Sequence, residues 1–117
     1  MITKEFAIKF SKDWIDSWNS HDIERILSHY HSDFVMSSPK IAVIANEPSG
    51  VLSGKDKVAE YWSKALSLIP KLEFKHINTF VGADSLIIYY VGASGLAAEV
   101  FFFNSEGLVV RAAAHYV

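Results

Sequence analysis

The sequence predicts an α+β fold in which three N-terminal helices pack on a curved, mostly antiparallel sheet. Three observations lead there. Apolar residues recur every three to four positions up to Pro70 and every second position from Leu72 onward. The two patterns are segregated along the chain instead of alternating, which argues against the βαβ order of a parallel sheet. The β-patterned half is broken by GAD, GAS and NSEG, short turn-forming strings that fit a meander. A chain of 117 residues, half of them hydrophobic, buries roughly two thirds of its unfolded surface and supports one core without staples, so a single domain spanning 1–117 is expected.

Residues 4–18 read as an amphipathic helix, with Phe6, Phe10, Trp14 and Trp18 on one side and Lys9, Lys12, Asp13 and Asp16 on the other. Asn19 and Ser20 close it. Asp22 is placed to cap a short helix through Ile23, Ile26 and Leu27. Phe34 to Ser38 is a strand ended by Pro39. Residues 40–54 read as a loop that covers a pocket or extends an interface, with Ile41 to Ala45 as an optional strand. Ser53 and Asp56 approximate a capping box for a third helix, whose apolar face of Val58, Tyr61, Trp62, Ala65, Leu66 and Ile69 runs to Pro70. LEFKHINTFV, SLIIYYV, GLAAEVFFF and GLVVRAAAHYV are four further strands. They are apolar on both faces: one packs on the helices, while Ile87, Tyr89, Val100, Phe102, Val109 and Val117 fall on the other. That outer face is expected to pack against a second copy as a homodimer.

Composition narrows the partners. The formal net charge is −2 with lysines scattered among carboxylates, which argues against nucleic acid. No apolar run approaches 18 residues and the N-terminus lacks a leader pattern, so an unprocessed, cytoplasmic protein without a membrane partner is expected. The absence of cysteine removes disulfides, thiolate metal sites and cysteine nucleophiles. Three Trp, five Tyr and eight Phe exceed what a small core needs and point to an aromatic-lined cavity.

Glu99 is the only charged residue in GLAAEVFFF, and alternation puts Ala97, Phe101 and Phe103 on its face. Pointing inward it would be desolvated and fit for general acid or base chemistry near neutrality; at a sheet edge it would pair with Arg111 or Lys75. Trp14 and Trp62 offer indole N–H groups and flat apolar faces, with Trp18 and Met36 beside them as ligand contacts, and plain core packing is the alternative. Strand parity turns His76 inward with Leu72 and Phe74, and Tyr90 inward with Leu86 and Ile88. In the last strand Ala112, Ala114 and Tyr116 share a face, the alanines leaving room for a ligand, while Arg111 and His115 face a dimer contact. His29, His31 and Asp33 fix no third ligand by spacing, so no metal is expected. GVLSGK has the wrong spacing for a phosphate loop.

Together, DWIDSWNSHDIERILSHYHSDFVMSSP, SGKDKVAEYW and AEVFFFNSEGLVVRAAAHY resemble the SnoaL-like branch of the nuclear transport factor 2-like superfamily. The resemblance covers nearly the whole chain. It implies a cystatin-like α+β roll: a curved sheet wrapped around a long helix as a cone with an apolar pocket, commonly dimerised through the outer sheet face. In the ketosteroid isomerases of that superfamily an aspartate base works with an oxyanion hole of a tyrosine and a protonated aspartate. The resemblance places the base on Ser38, the oxyanion tyrosine on Trp14, a supporting tyrosine on Trp62 and the protonated aspartate on Glu99. Only Glu99 keeps a group of the same kind, and Ser38 cannot shuttle a proton without a partner base, so ketosteroid isomerisation is disfavoured. Two readings follow. One is a cofactor-independent isomerase, cyclase or hydrolase acting on a small apolar or polycyclic molecule, with Glu99 as acid or base and Ser38, Trp14 and Trp62 as hydrogen-bonding groups. The other is a non-catalytic hydrophobic-ligand-binding or dimerisation module.

Overall fold

The computed structural model describes residues 1–117. In chain order the elements are α1 (Lys4–Ser20), α2 (Ile23–Leu27), β1 (Tyr30–Ser37), α3 (Pro39–Ile44), β2 (Val51–Ser53), α4 (Lys55–Leu68), β3 (Lys75–Val81), β4 (Ser85–Gly92), β5 (Gly95–Phe103) and β6 (Val109–Tyr116). The strands form one curved, unclosed sheet in the order β2-β1-β6-β5-β4-β3, antiparallel throughout except where β1 runs parallel to β6. Its concave face holds α1 and α4 over a contiguous apolar core.

Helix α1 forms as its four-residue apolar spacing predicts, burying Phe10, Trp14 and Trp18. Thr3 Oγ1 accepts the Phe6 amide at its start, and at its end His21 turns left-handed (φ 59°) and donates its N–H to the Trp18 carbonyl. Asn19 then exchanges two hydrogen bonds with the backbone of Phe74, at 2.7 and 3.0 Å. That pair pins the helix end to the segment entering β3 and sets the Phe74 ring beside Trp14 and Trp18. Asp22 caps α2 by accepting the Arg25 amide, as its position predicts.

Four helices are present where three were expected. The additional one is α3, inside the expected loop and over the residues read as an optional strand. The Ser-Pro pair explains it: Ser38 Oγ accepts the Lys40 amide as the cap, and Pro39, with no amide to satisfy, occupies the first helical position. The same interval holds the short β2, whose Ser53 pairs with Val35 of β1. Ser53 is thereby committed to the sheet and does not cap α4; Gly54 (φ 93°) takes that position without a side-chain bond, so the capping box does not form. Strand β1 begins at Tyr30 rather than Phe34.

β-Bulges interrupt the strand pairing, and one of them redirects the predicted alternation. One between Phe102 and Phe103 turns Val109 into the core, where it is fully buried, instead of onto the outer face. Another lies between His76 and Asn78, after His76 itself, which stays opposite the inward Tyr90 but on the edge strand. His76 is a correction: it is exposed, facing a groove between α1 and the edge strand β3 instead of the cone, with its Nε2 bonded to Thr79 Oγ1 at 2.7 Å. Val117 lies beyond β6 and is fully exposed. Ile87, Tyr89, Val100 and Phe102 do occupy the outer face, half-buried, with the Arg111 guanidinium over the Phe102 ring. No helix is long and apolar enough to cross a membrane.

Candidate functional site

The site starts from the alternation of β5. Ala97, Glu99, Phe101 and Phe103 share the concave face, which leaves one carboxyl group among apolar neighbours. Glu99 is 4% exposed. Its one hydrogen-bond partner is Tyr90 on β4, whose hydroxyl donates to Oε1 over a long 3.4 Å. Neither Arg111 nor Lys75 pairs with it; both ion pairs of the structure, Lys9–Asp13 and Lys12–Asp16, lie on the solvent side of α1. Desolvation therefore pushes the Glu99 pKa from its ordinary 4.5 up to about 8, with the Tyr90 bond working weakly the other way. At neutral pH the group is a carboxylic acid.

Four phenols surround it. Burial raises the pKa of Tyr30, Tyr61, Tyr90 and Tyr116, and negative charge on Glu99 would raise each further. The Ser38 hydroxyl works against that rise at Tyr61 and Tyr116. All five acidic side chains thus hold their protons, and the arrangement donates protons and hydrogen bonds but contains no ionised base.

Trp14, Trp18, Trp62, Phe74 and Tyr90 pack mainly edge-to-face or tilted, with ring centroids 4.8–6.3 Å apart in the contacting pairs. Between them and Glu99 remains a cavity of about 60 Å³. The two indoles of α1 differ. Trp14 Nε1 donates to the Tyr30 hydroxyl at 2.9 Å, so this N–H is already committed. Trp18 Nε1 is buried without a partner, the only such side-chain polar atom in the chain.

Of the residues singled out in the sequence, Glu99, Trp14, Trp18, Met36, Trp62, Tyr90 and Tyr116 meet on the cavity wall. Ser38 is buried just outside it, capping α3. His76 is elsewhere, as described above. Ala112 and Ala114 are buried but do not reach the cavity: Ala112 is flanked by its strand partners Phe101 and Met36, and the room the alanines leave goes to core packing. His29 bonds the Ile26 carbonyl and His31 the Asp33 amide, and no three His, Asp or Glu side chains converge to hold a metal ion. Sequence reasoning missed Tyr30, Tyr61 and Lys40. Tyr30 falls in the part of β1 not read as strand, and Lys40 in the helix read as loop.

The sequence matches the SnoaL-like domain family over residues 12–117. The chain belongs to the SnoaL-like family. A SnoaL-like protein of unknown function from Burkholderia thailandensis is 55% identical, with a TM-score of 0.95 over 99% of this chain and 98% of that one. A Mycobacterium tuberculosis protein in complex with estradiol-17β-hemisuccinate superposes with a TM-score of 0.75 at 17% identity, covering 96% of this chain and 94% of that one. The epoxide hydrolase/cyclase-like enzyme SalBIII, which has a role in pyran ring formation in salinomycin, reaches 0.77 at 13% identity, covering 100% and 95%. These two likenesses concern the fold alone. The sequence has no match among curated proteins. In this SnoaL-like chain the cavity is small, about 60 Å³, and all three tryptophans stand on its wall.

Proposed function

We propose that this SnoaL-like protein binds a small, largely apolar molecule in the cone and uses Glu99 as a general acid in a cofactor-independent isomerisation, cyclisation or hydrolysis. The observation that carries the reading is a neutral carboxyl group held in a desolvated cavity with only a weak hydrogen bond to Tyr90. Glu99 would pass its proton to a carbonyl or ether oxygen of the substrate; Tyr90 would steady the resulting carboxylate, which recovers a proton from the attacking or rearranging group. Trp14 acts as a positioning residue through Tyr30, since its N–H is not free for substrate. Trp18, Met36, Trp62 and Tyr116 supply apolar surface, and Ser38 orients the Tyr61 and Tyr116 phenols. The fold shared with SalBIII and with the estradiol-hemisuccinate-bound protein supports a small-molecule role by analogy.

The size of the cavity favours a second reading. Ligand pockets usually enclose about 300–1,000 Å³, and about 60 Å³ is enough for a few waters. On that reading the cone is filled by its own side chains and the molecule is a binding or assembly module. In both readings the outer face, with Ile87, Tyr89, Val100 and Phe102, serves a homodimer. A thermal-shift screen against steroids, polyketide-like aromatics, terpenoid epoxides and fatty acids separates the two, because binding to the native state raises its melting temperature. The enzyme reading requires a ligand whose affinity survives Glu99→Gln while its turnover is lost. If no class binds, or if the variant is only more stable, the second reading holds.

A further inference from the structure

Lys40 is the only cationic side chain on the wall of the cone. It leaves the first turn of α3, and its Nζ donates to Ser94 Oγ, in the turn between β4 and β5, at 2.9 Å. The same Nζ stands 4.2 Å from the centre of the Tyr116 ring. No carboxylate pairs with it. The side chain is half-buried, and desolvation lowers its pKa with no acidic neighbour opposing the shift. A partly desolvated ammonium is thus held by a neutral hydroxyl and an aromatic face, both weaker partners than an anionic oxygen.

The remaining polar groups on the wall point to the same ligand chemistry. Glu99 is protonated at neutral pH, and the phenols of Tyr61, Tyr90 and Tyr116 keep their protons. The cavity therefore offers O–H donors, apolar surface and one cation, without an ionised acceptor. The Lys40–Ser94 bond also ties α3 to the β4–β5 turn, whose neighbours Gly92 and Ala93 line the cavity together with Ile44 of α3. For a body larger than the cavity of about 60 Å³ to enter, α3 and that turn must separate, which an anion taking the ammonium from Ser94 would allow.

We propose that the ligand of this cone is an apolar acid, whose carboxylate is bound by Lys40 in exchange for Ser94 while its apolar body lies among the tryptophans. The proposal rests on the reading of the cone as a small-molecule site and names the chemical class that the site selects.

The test is isothermal titration of the full chain with three matched pairs of carboxylate and primary amide: benzoate and benzamide, 2-naphthoate and 2-naphthamide, lithocholate and its amide. At least one acid is expected to bind about tenfold more tightly than its amide, the difference that one charge-assisted hydrogen bond makes. Lys40→Met should abolish that preference, and Lys40→Gln serves if the methionine variant melts early. Ser94→Ala, which removes the competing partner, should tighten the acid a few-fold. If acid and amide bind the native protein equally, or if the preference survives in Lys40→Met, the proposal fails while the pocket reading stands. If no member of any pair binds, the pocket reading fails and the proposal falls with it.

Discussion

Replacing Glu99 by glutamine should make the protein more stable, and by an amount that depends on pH. The folded chain holds its Glu99 proton up to about pH 8, whereas an unfolded chain releases it near 4.5. Between those values the folded state binds more protons than the unfolded one, so stability falls as pH rises through the window and levels off above it. The gap of about three and a half pH units, at about 1.4 kcal/mol each, amounts to about 5 kcal/mol. At pH 7 about 3 kcal/mol of it is already in force, from the two and a half units above 4.5. Glutamine keeps the shape and the acceptor for Tyr90 but has nothing to ionise; its amide N–H groups lose hydration, which takes back about 1 kcal/mol. Urea unfolding of both proteins across pH should give curves that cross at about pH 5, where the ionisation loss equals that cost of about 1 kcal/mol, with Glu99→Gln the less stable below the crossing and increasingly the more stable above it. A difference that stays constant between about pH 5 and pH 8 would refute the argument, because the carboxyl would then titrate alike in both states.

Tyr30→Phe should lower stability by about 1–3 kcal/mol in the same assay, because it strands the buried Trp14 N–H at almost constant volume; an unchanged midpoint would mean the indole finds another acceptor. Ser38→Ala removes the cap of α3 and should lower stability by about 1 kcal/mol. Hydrogen exchange should show the loss at Ile41 to Ile44, and protection equal to that of the native protein would contradict it. Sedimentation of the native chain at micromolar concentration should report a dimer, and Phe102→Asp, on the outer sheet face, a monomer. A native monomer would remove the reason given for that apolar face.

The elements the sequence announced most clearly are those governed by local rules. The Phe6, Phe10, Trp14 and Trp18 stripe, the Asp22 cap and the inward face of β5 need only period and side-chain chemistry. Glu99 was legible for the same reason, as a single charge in an apolar strand. What was misread depends on non-local pairing or on a signal taken in its weaker sense. The Ser38-Pro39 pair ends one strand and starts a helix at once, and only the first was recognised. Val109 followed a parity that a bulge interrupts, whereas His76 keeps the face its parity predicts, opposite Tyr90, but lies on the edge strand beyond the cone. Which indole of α1 is left unpaired was not written in α1, since the partner of Trp14 arrives from β1.

All three tryptophans of the chain, Trp14, Trp18 and Trp62, stand on the wall of the one cavity that holds Glu99. Each is almost wholly shielded from water, and Trp18 touches both of the others. Tryptophan emission, excited where tyrosine does not absorb, therefore has no background from distant sites. A change in emission colour or intensity in the folded chain reports an event inside the cone, and ligand entry and Glu99 titration can each be followed without attaching a dye.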